Sequence, residues 1–329
     1  VSPVATGIGS LPGEDFAEAV RLVLGELPDL PHLPELPARG AIAGMIGRTL
    51  GLLADLDADL QPAGWRLTGS SGSPGADQRR ARSLLAQDLD TLEELADGYA
   101  GAFKIQLMGP WTLAATVERP RGDKVLADHG ARRELAQALA ESVRQHLRDV
   151  RRRLPGVTRL IAQLDEPALD AVLSAKIPTA SGYGRHRAVD VPEASQALSW
   201  VLEAIAAEGA EPWVHSCAHT PWGLVRGAGA QGLAADLTQL SARDHDDLAA
   251  ALEDGATVAL GVVPSLEPAT ALSDKQVTDQ VLRWLDMVGL DPQAARLAVT
   301  PACGLAGASQ AWTRRAMTLA RTSATSLRD

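Results

Sequence analysis

The sequence predicts an α/β fold, a (β/α)8 TIM barrel occupying residues 1–329 as a single domain. Three observations carry this prediction. Eight short apolar runs alternate with amphipathic stretches, the pattern of a parallel sheet joined by crossover helices. Polar or thiol residues gather at the ends of those runs, as they do on the C-terminal face of a barrel. No Ser/Gly-rich linker or shift in composition divides the 329 residues, a length that one α/β barrel can fill.

The elements follow in order. The first run, 5–11 (ATGIGSL), precedes a helical stripe of Phe16, Val20, Leu24 and Leu27 within 14–27. The second run, 65–69 (WRLTG), leads through a loop at 69–76 (GSSGSPGA), expected to be mobile, into a helix over 77–96 with Leu85, Leu89 and Leu92. The third, 103–110 (FKIQLMGP), precedes a helix in which Leu135, Leu139, Val143, Leu147 and Val150 fall on one face. The fourth, 159–167 (RLIAQLDEP), is followed by a Gly-containing loop at 174–190 and a helix over 191–207. Runs five to seven are 211–217, 232–237 and 257–263. The seventh leads to a helix that Ser273 and Gln276 open in a capping-box layout. The eighth, 297–303, precedes the last stripe at 307–322. A doubly wound open sheet is the rival, but it would place a Gly-rich phosphate loop after its first strand. GIGSLPG matches that loop only loosely, and Pro12 stands where its helix should begin.

Composition excludes several functions. With 31 Lys+Arg against 41 Asp+Glu the net charge is −10, which suits no phosphate backbone, so no nucleic-acid partner is expected. No apolar run is long enough to span a bilayer, and the first residues lack a secretory layout. Two cysteines fit a reducing compartment. A cytoplasmic protein with no membrane partner is the expectation.

Those cysteines raise the chemical question. Cys217 sits in EPWVHSCAHT, and Cys303 lies 86 positions beyond it (303 − 217). An isolated H-x-C reads as a buried core cysteine near a histidine. In a barrel, however, both cysteines end strands at the same rim, and His215 shares the side of Cys217 because side chains alternate with period two. One imidazole and two thiolates suit Zn²⁺. Asp165-Glu166, Asp236 and Gly9-Ser10 end other strands at that rim.

Taken together, GIGSLP (7–12), QLMGPWT (106–112), QLDEPAL (163–169), VHSCAH (214–219) and TPACGL (300–305) resemble cobalamin-independent methionine synthase, in particular its C-terminal catalytic barrel. The resemblance implies a zinc ion held by His215, Cys217 and Cys303 that binds homocysteine through sulfur. A free thiol is mostly protonated at neutral pH, whereas a metal-bound one is deprotonated, so the thiolate can attack a methyl group on a carrier. It further implies that Asp165 holds the substrate's amino group, with Glu166 as the alternative, and that Ile8, Gly9 and Ser10 border its carboxylate. Glu35 becomes a further substrate-binding carboxylate, or else a solvated loop residue. By its position just after the strand-five motif, His219 reads as an orienting partner of a metal ligand, and Trp111 and Trp213 flank the site motifs as pocket-lining or buried residues. His245 reads as a solvated helix start.

The sequence also departs from that family. The family's zinc-binding glutamate is absent from GLAADLTQL, which leaves Asp236 as a fourth ligand or a three-residue site with an open position. GVVPSLEPA lacks the family's histidine, the acidic and basic residues around the last cysteine are missing, and the chain is too short for the family's second barrel. The expected activity is methyl transfer to a thiol, most simply homocysteine to methionine. The carrier is left open between methyltetrahydrofolate, a corrinoid and a corrinoid protein. Two other readings stand beside it. One is a non-catalytic zinc-, thiol- or corrinoid-binding descendant. The other is a metal-free barrel like uroporphyrinogen decarboxylase, in which Arg39 and Arg48 would hold carboxylates.

Overall fold

The computed structural model describes residues 2–69, 74–292 and 295–328, so residues 70–73 of the expected loop at 69–76 lie outside the described residues. The strands are β1 (Val4–Ala5), β2 (Asp57–Gln61), β3 (Gly64–Gly69), β4 (Ala102–Met108) and β5 (Arg159–Asp165), then β6 (Glu211–Ser216), β7 (Gly232–Asp236), β8 (Thr257–Val263) and β9 (Leu297–Pro301). Seven of them form one parallel sheet in the order β1-β9-β8-β7-β6-β5-β4. Helices separate most neighbours, which gives an α/β fold with a curled parallel sheet and helices packed around it.

The six helical stripes read from the sequence appear as Phe16–Glu26, Ala76–Leu95, His129–Arg153, Val191–Ala207, Asp274–Val288 and Gln310–Ser326. Both bonds of the Ser273–Gln276 capping box are made, and that helix ends at Gly289 in the left-handed conformation (φ 73°). Among the described residues no helix is long and apolar enough to cross a membrane.

The second expected strand is a correction. Residues 65–69 do not join the parallel sheet; β3 pairs antiparallel with β2, and Gln61 meets Gly64 across the two-residue turn Pro62-Ala63. The pair is a hairpin whose Ala58, Trp65 and Leu67 are buried. The place between β1 and β4 is taken by residues 31–36, PHLPEL. Lys104 donates its N–H to Pro31, Leu33 donates to Lys104, and Glu35 donates to Gly9, at 2.9, 2.9 and 3.1 Å. Pro31 and Pro34 have no N–H to donate, so this stretch makes single bridges where a regular strand would make a ladder.

Inside the sheet one apolar layer is a separate cluster of Leu30, Ile161, Trp213, Ala234, Ala259 and Ala298, all 0% exposed. The single large indole is balanced by small neighbours, the volume matching that close packing demands. Gly232 completes it, because a Cβ there would stand 2.2 Å from the Trp213 ring. The layer seals the sheet's interior beneath the strand ends where the polar residues collect.

Candidate functional site

A cavity of about 540 Å³ opens at those strand ends. β6 carries His215 to its rim, the next residues turn Cys217 toward it, and Cys303 follows β9. One ligand atom from each of these three residues lies within 4.8 Å of the others. His215 Nδ1 lies 3.0 Å from the Ala234 carbonyl oxygen. A carbonyl can only accept, so Nδ1 carries the hydrogen and Nε2 keeps its lone pair. Nε2 is buried without a hydrogen-bond partner. A buried orphan acceptor is costly, and a metal ion removes that cost. A histidine whose second nitrogen is pinned by a carbonyl, beside two sulfurs, is the donor set that zinc takes.

The two thiols behave as a pair. The contact with Cys217 lowers the Cys303 thiol from its usual range, while the Cys217 thiol is pushed up by the same contact and by burial.

Beside them lies a polar floor. Asp165 is 4% exposed. Burial pushes its carboxyl up to about 7, against the lowering influence of His215, Gln163 and Lys104. Gln163 Nε2 donates to Asp165 Oδ1 at 2.7 Å. Glu35 is buried, so its reading as a solvated loop residue is corrected. It accepts from Gln106 at 3.1 Å and lies 3.6 Å from Arg48. Ile8, Gly9 and Ser10 line the same cavity. The opposite wall is apolar: Met45 and Ile46 from helix Met45–Leu52, and Leu60 and Trp65 from the hairpin.

Glu166 faces away from this chemistry. Its carboxylate accepts from Trp111 N, Thr112 N and Thr112 Oγ1 at 2.9, 2.8 and 2.6 Å, closing the N-terminus of helix Pro110–Thr116. That leaves Asp165 as the member of the pair that lines the cavity. Asp236 accepts from Thr238 N and Oγ1 at 2.9 and 2.7 Å and is not in the His215–Cys217–Cys303 group. Arg39 chelates Asp88 at 2.8 and 2.7 Å and Arg48 joins it at 3.1 Å; neither arginine lines the cavity.

The flanking residues fall elsewhere. His219 is 54% exposed at its side chain and pairs with Asp244, so the partner of the His215 ring is the Ala234 carbonyl. Trp111 donates to the Ala194 carbonyl, and Trp213 belongs to the buried apolar layer. His245 is half-buried and accepts from Trp284 Nε1. Lys104, Gln106, Gln163 and Trp65 were missed. The signal for the first three lay in FKIQL and LIAQLD, where polar residues alternate inside apolar runs at the period of one strand face.

The family model described as "Cobalamin-independent synthase, Catalytic domain" matches residues 103–326. No curated protein matches the chain. A B12-independent methionine synthase from Shewanella sp. W3-18-1, solved in complex with selenomethionine, is similar over 100% of this chain and 98% of its own, with 15% identity and a TM-score of 0.66. The GH5_18 protein from Streptomyces cattleya, solved with Manb1-4GlcNAc, covers 99% of this chain and 80% of its own at 15% identity, with a TM-score of only 0.46.

Proposed function

Because the chain belongs to the cobalamin-independent synthase family through its catalytic domain, we propose that it transfers a methyl group to the sulfur of homocysteine, giving methionine. The observation that carries this reading is the unpartnered His215 Nε2 converging with Cys217 and Cys303. They share one cavity with Asp165 and Glu35. In the same reading, residues 31–36 stand in for the missing stave and close a one-domain (β/α)8 barrel over residues 1–329.

His215 Nε2 and the sulfurs of Cys217 and Cys303 would hold zinc. When bound, the metal supplies an acceptor sulfur kept ionised at neutral pH. The chain's other groups orient that acceptor. Asp165 takes its ammonium, with Glu35 as a second carboxylate, and the Gly9-Ser10 turn borders its carboxylate. The Shewanella protein's bound selenomethionine has the amino-acid skeleton this arrangement would accept. The apolar wall of Met45, Ile46, Leu60 and Trp65 keeps water from the sulfur and receives the methyl carrier. As the new sulfur–carbon bond forms, the carrier's bond to the methyl group breaks, and its electron pair stays on the carrier nitrogen, which takes up a proton. A folate carrier fits a cobalamin-independent family; nothing supports the corrinoid or corrinoid-protein alternative.

The test is turnover. Zinc-loaded protein incubated with L-homocysteine and 5-methyltetrahydrofolate, as the mono- and polyglutamate, should form methionine detectable by mass spectrometry, with methylcobalamin inactive as donor. Absence of methionine with every donor would overturn the proposal and leave a zinc-thiol binding protein.

A further inference from the structure

Lys104 is 0% exposed, yet no carboxylate pairs with its ammonium among the described ion pairs. Burying a cation in this way is costly, and a methionine of similar size would remove the cost. What the ammonium touches explains its presence. Nζ donates to the Ile8 carbonyl at 2.9 Å and to Gln163 Oε1 at 2.7 Å.

An ammonium has three donors and no acceptor. Lys104 can therefore face only the oxygen of the Gln163 amide, and the NH2 end must turn the other way. There Nε2 donates to Asp165 Oδ1 at 2.7 Å and to the Ile8 carbonyl at 3.1 Å. Were the amide reversed, its oxygen would face a carboxylate oxygen and its NH2 would face the ammonium, both repulsive. The described hydrogen bonds thus engage one oxygen of Asp165 and leave the other for the cavity that Asp165 lines.

We infer that Lys104 is a positioning residue: by fixing the Gln163 amide it aims the Asp165 carboxylate at the acceptor's amino group. The inference rests on the reading of Asp165 as the group that takes that ammonium. Its cation also lies in the field of the two buried carboxylates Asp165 and Glu35 and offsets one of those two charges.

The test compares two ligands on the zinc-loaded protein by calorimetry: L-homocysteine, and 4-mercaptobutanoate, which has the thiol and carboxylate but no amino group. Lys104→Met and Gln163→Met each break the chain at a different link without changing side-chain size greatly. Either variant should weaken homocysteine binding about tenfold or more, the scale of a lost hydrogen bond to a charged group. Zinc content and 4-mercaptobutanoate binding should stay within about twofold of wild type, a change too small to signify a lost contact. Equal losses for both ligands, or for neither, would overturn the assignment. If wild type binds neither ligand, the methyl-transfer reading fails by itself. A crystal structure of Lys104→Met, or of Gln163→Met if the first does not fold, then decides the inference. Asp165 displaced from its wild-type position supports it, and Asp165 unmoved overturns it.

Discussion

His215 donates its Nδ1 hydrogen across neighbouring strands to the carbonyl oxygen of Ala234 at 3.0 Å. That one bond decides which nitrogen faces Cys217 and Cys303. Three donors, one at the end of β6 and two just beyond β6 and β9, could hold one metal ion. His215→Ala, Cys217→Ser and Cys303→Ser should each reduce zinc from about one per chain to a small fraction. Asp236→Asn should retain it, since Asp236 stands outside the His215–Cys217–Cys303 group. Elemental mass spectrometry on protein purified without chelators reads both outcomes.

A methyl group has no place at Gly304. A Cβ there would lie 2.0 Å from the Ser10 hydroxyl oxygen, in the wall of the cavity. Gly304→Ala should therefore displace Ser10 and weaken acceptor binding. Gly232→Ala, far below the cavity, would press on the rigid Trp213 ring and should cost about 1–3 kcal/mol in urea unfolding, without a selective effect on binding.

Glu166→Gln separates a structural carboxylate from its reactive neighbour. An amide would aim an N–H at one of the three donors that now meet the carboxylate. A loss of about 1–3 kcal/mol in unfolding free energy is expected from the mismatch. Zinc content should be unchanged, as measured on the same samples.

Stability against pH should report the buried ammonium. Burial pulls Lys104 down to about 7 from its usual 10.5, opposed by Asp165 and Glu35. Between those values the unfolded chain binds more protons than the folded one, so this group makes unfolding free energy rise with pH from about 7 to about 10. Lys104→Met should remove that rise relative to wild type in urea titrations across the window. An unchanged pH slope would mean that the folded ammonium titrates normally.

Much of this was legible in the sequence. Seven of the eight expected runs coincide with or overlap strands of the parallel sheet, because strands buried on both faces read as apolar runs. The His215–Cys217–Cys303 group was legible because period-two alternation and strand-end position place thiols without any knowledge of packing. The second stave was not. WRLTG has strand composition but pairs locally with the run just before it, across Pro62-Ala63, and a hairpin partner so near in sequence wins over a distant one. PHLPEL has two prolines and reads as a loop, although tertiary bonds on both sides hold it between β1 and β4. The same stretch left Glu35 open between a substrate-binding carboxylate and a solvated loop residue, because its burial in the cavity depends on those tertiary bonds. Lys104 was invisible for a different reason: a charge inside a strand is explained only by the amide and carboxylate it meets in three dimensions.

The two prolines of residues 31–36 have a dynamic consequence. A stretch that can lend its neighbours so few amide hydrogens is held by side-chain burial more than by its backbone, and such a seam opens at lower free energy than a full ladder. Amides of Leu33 and Glu35 should therefore exchange with solvent deuterium before those of β5 or β8. Because Glu35 also lines the cavity, an occupant there would slow that exchange, making these two amides a natural reporter of what the cavity holds.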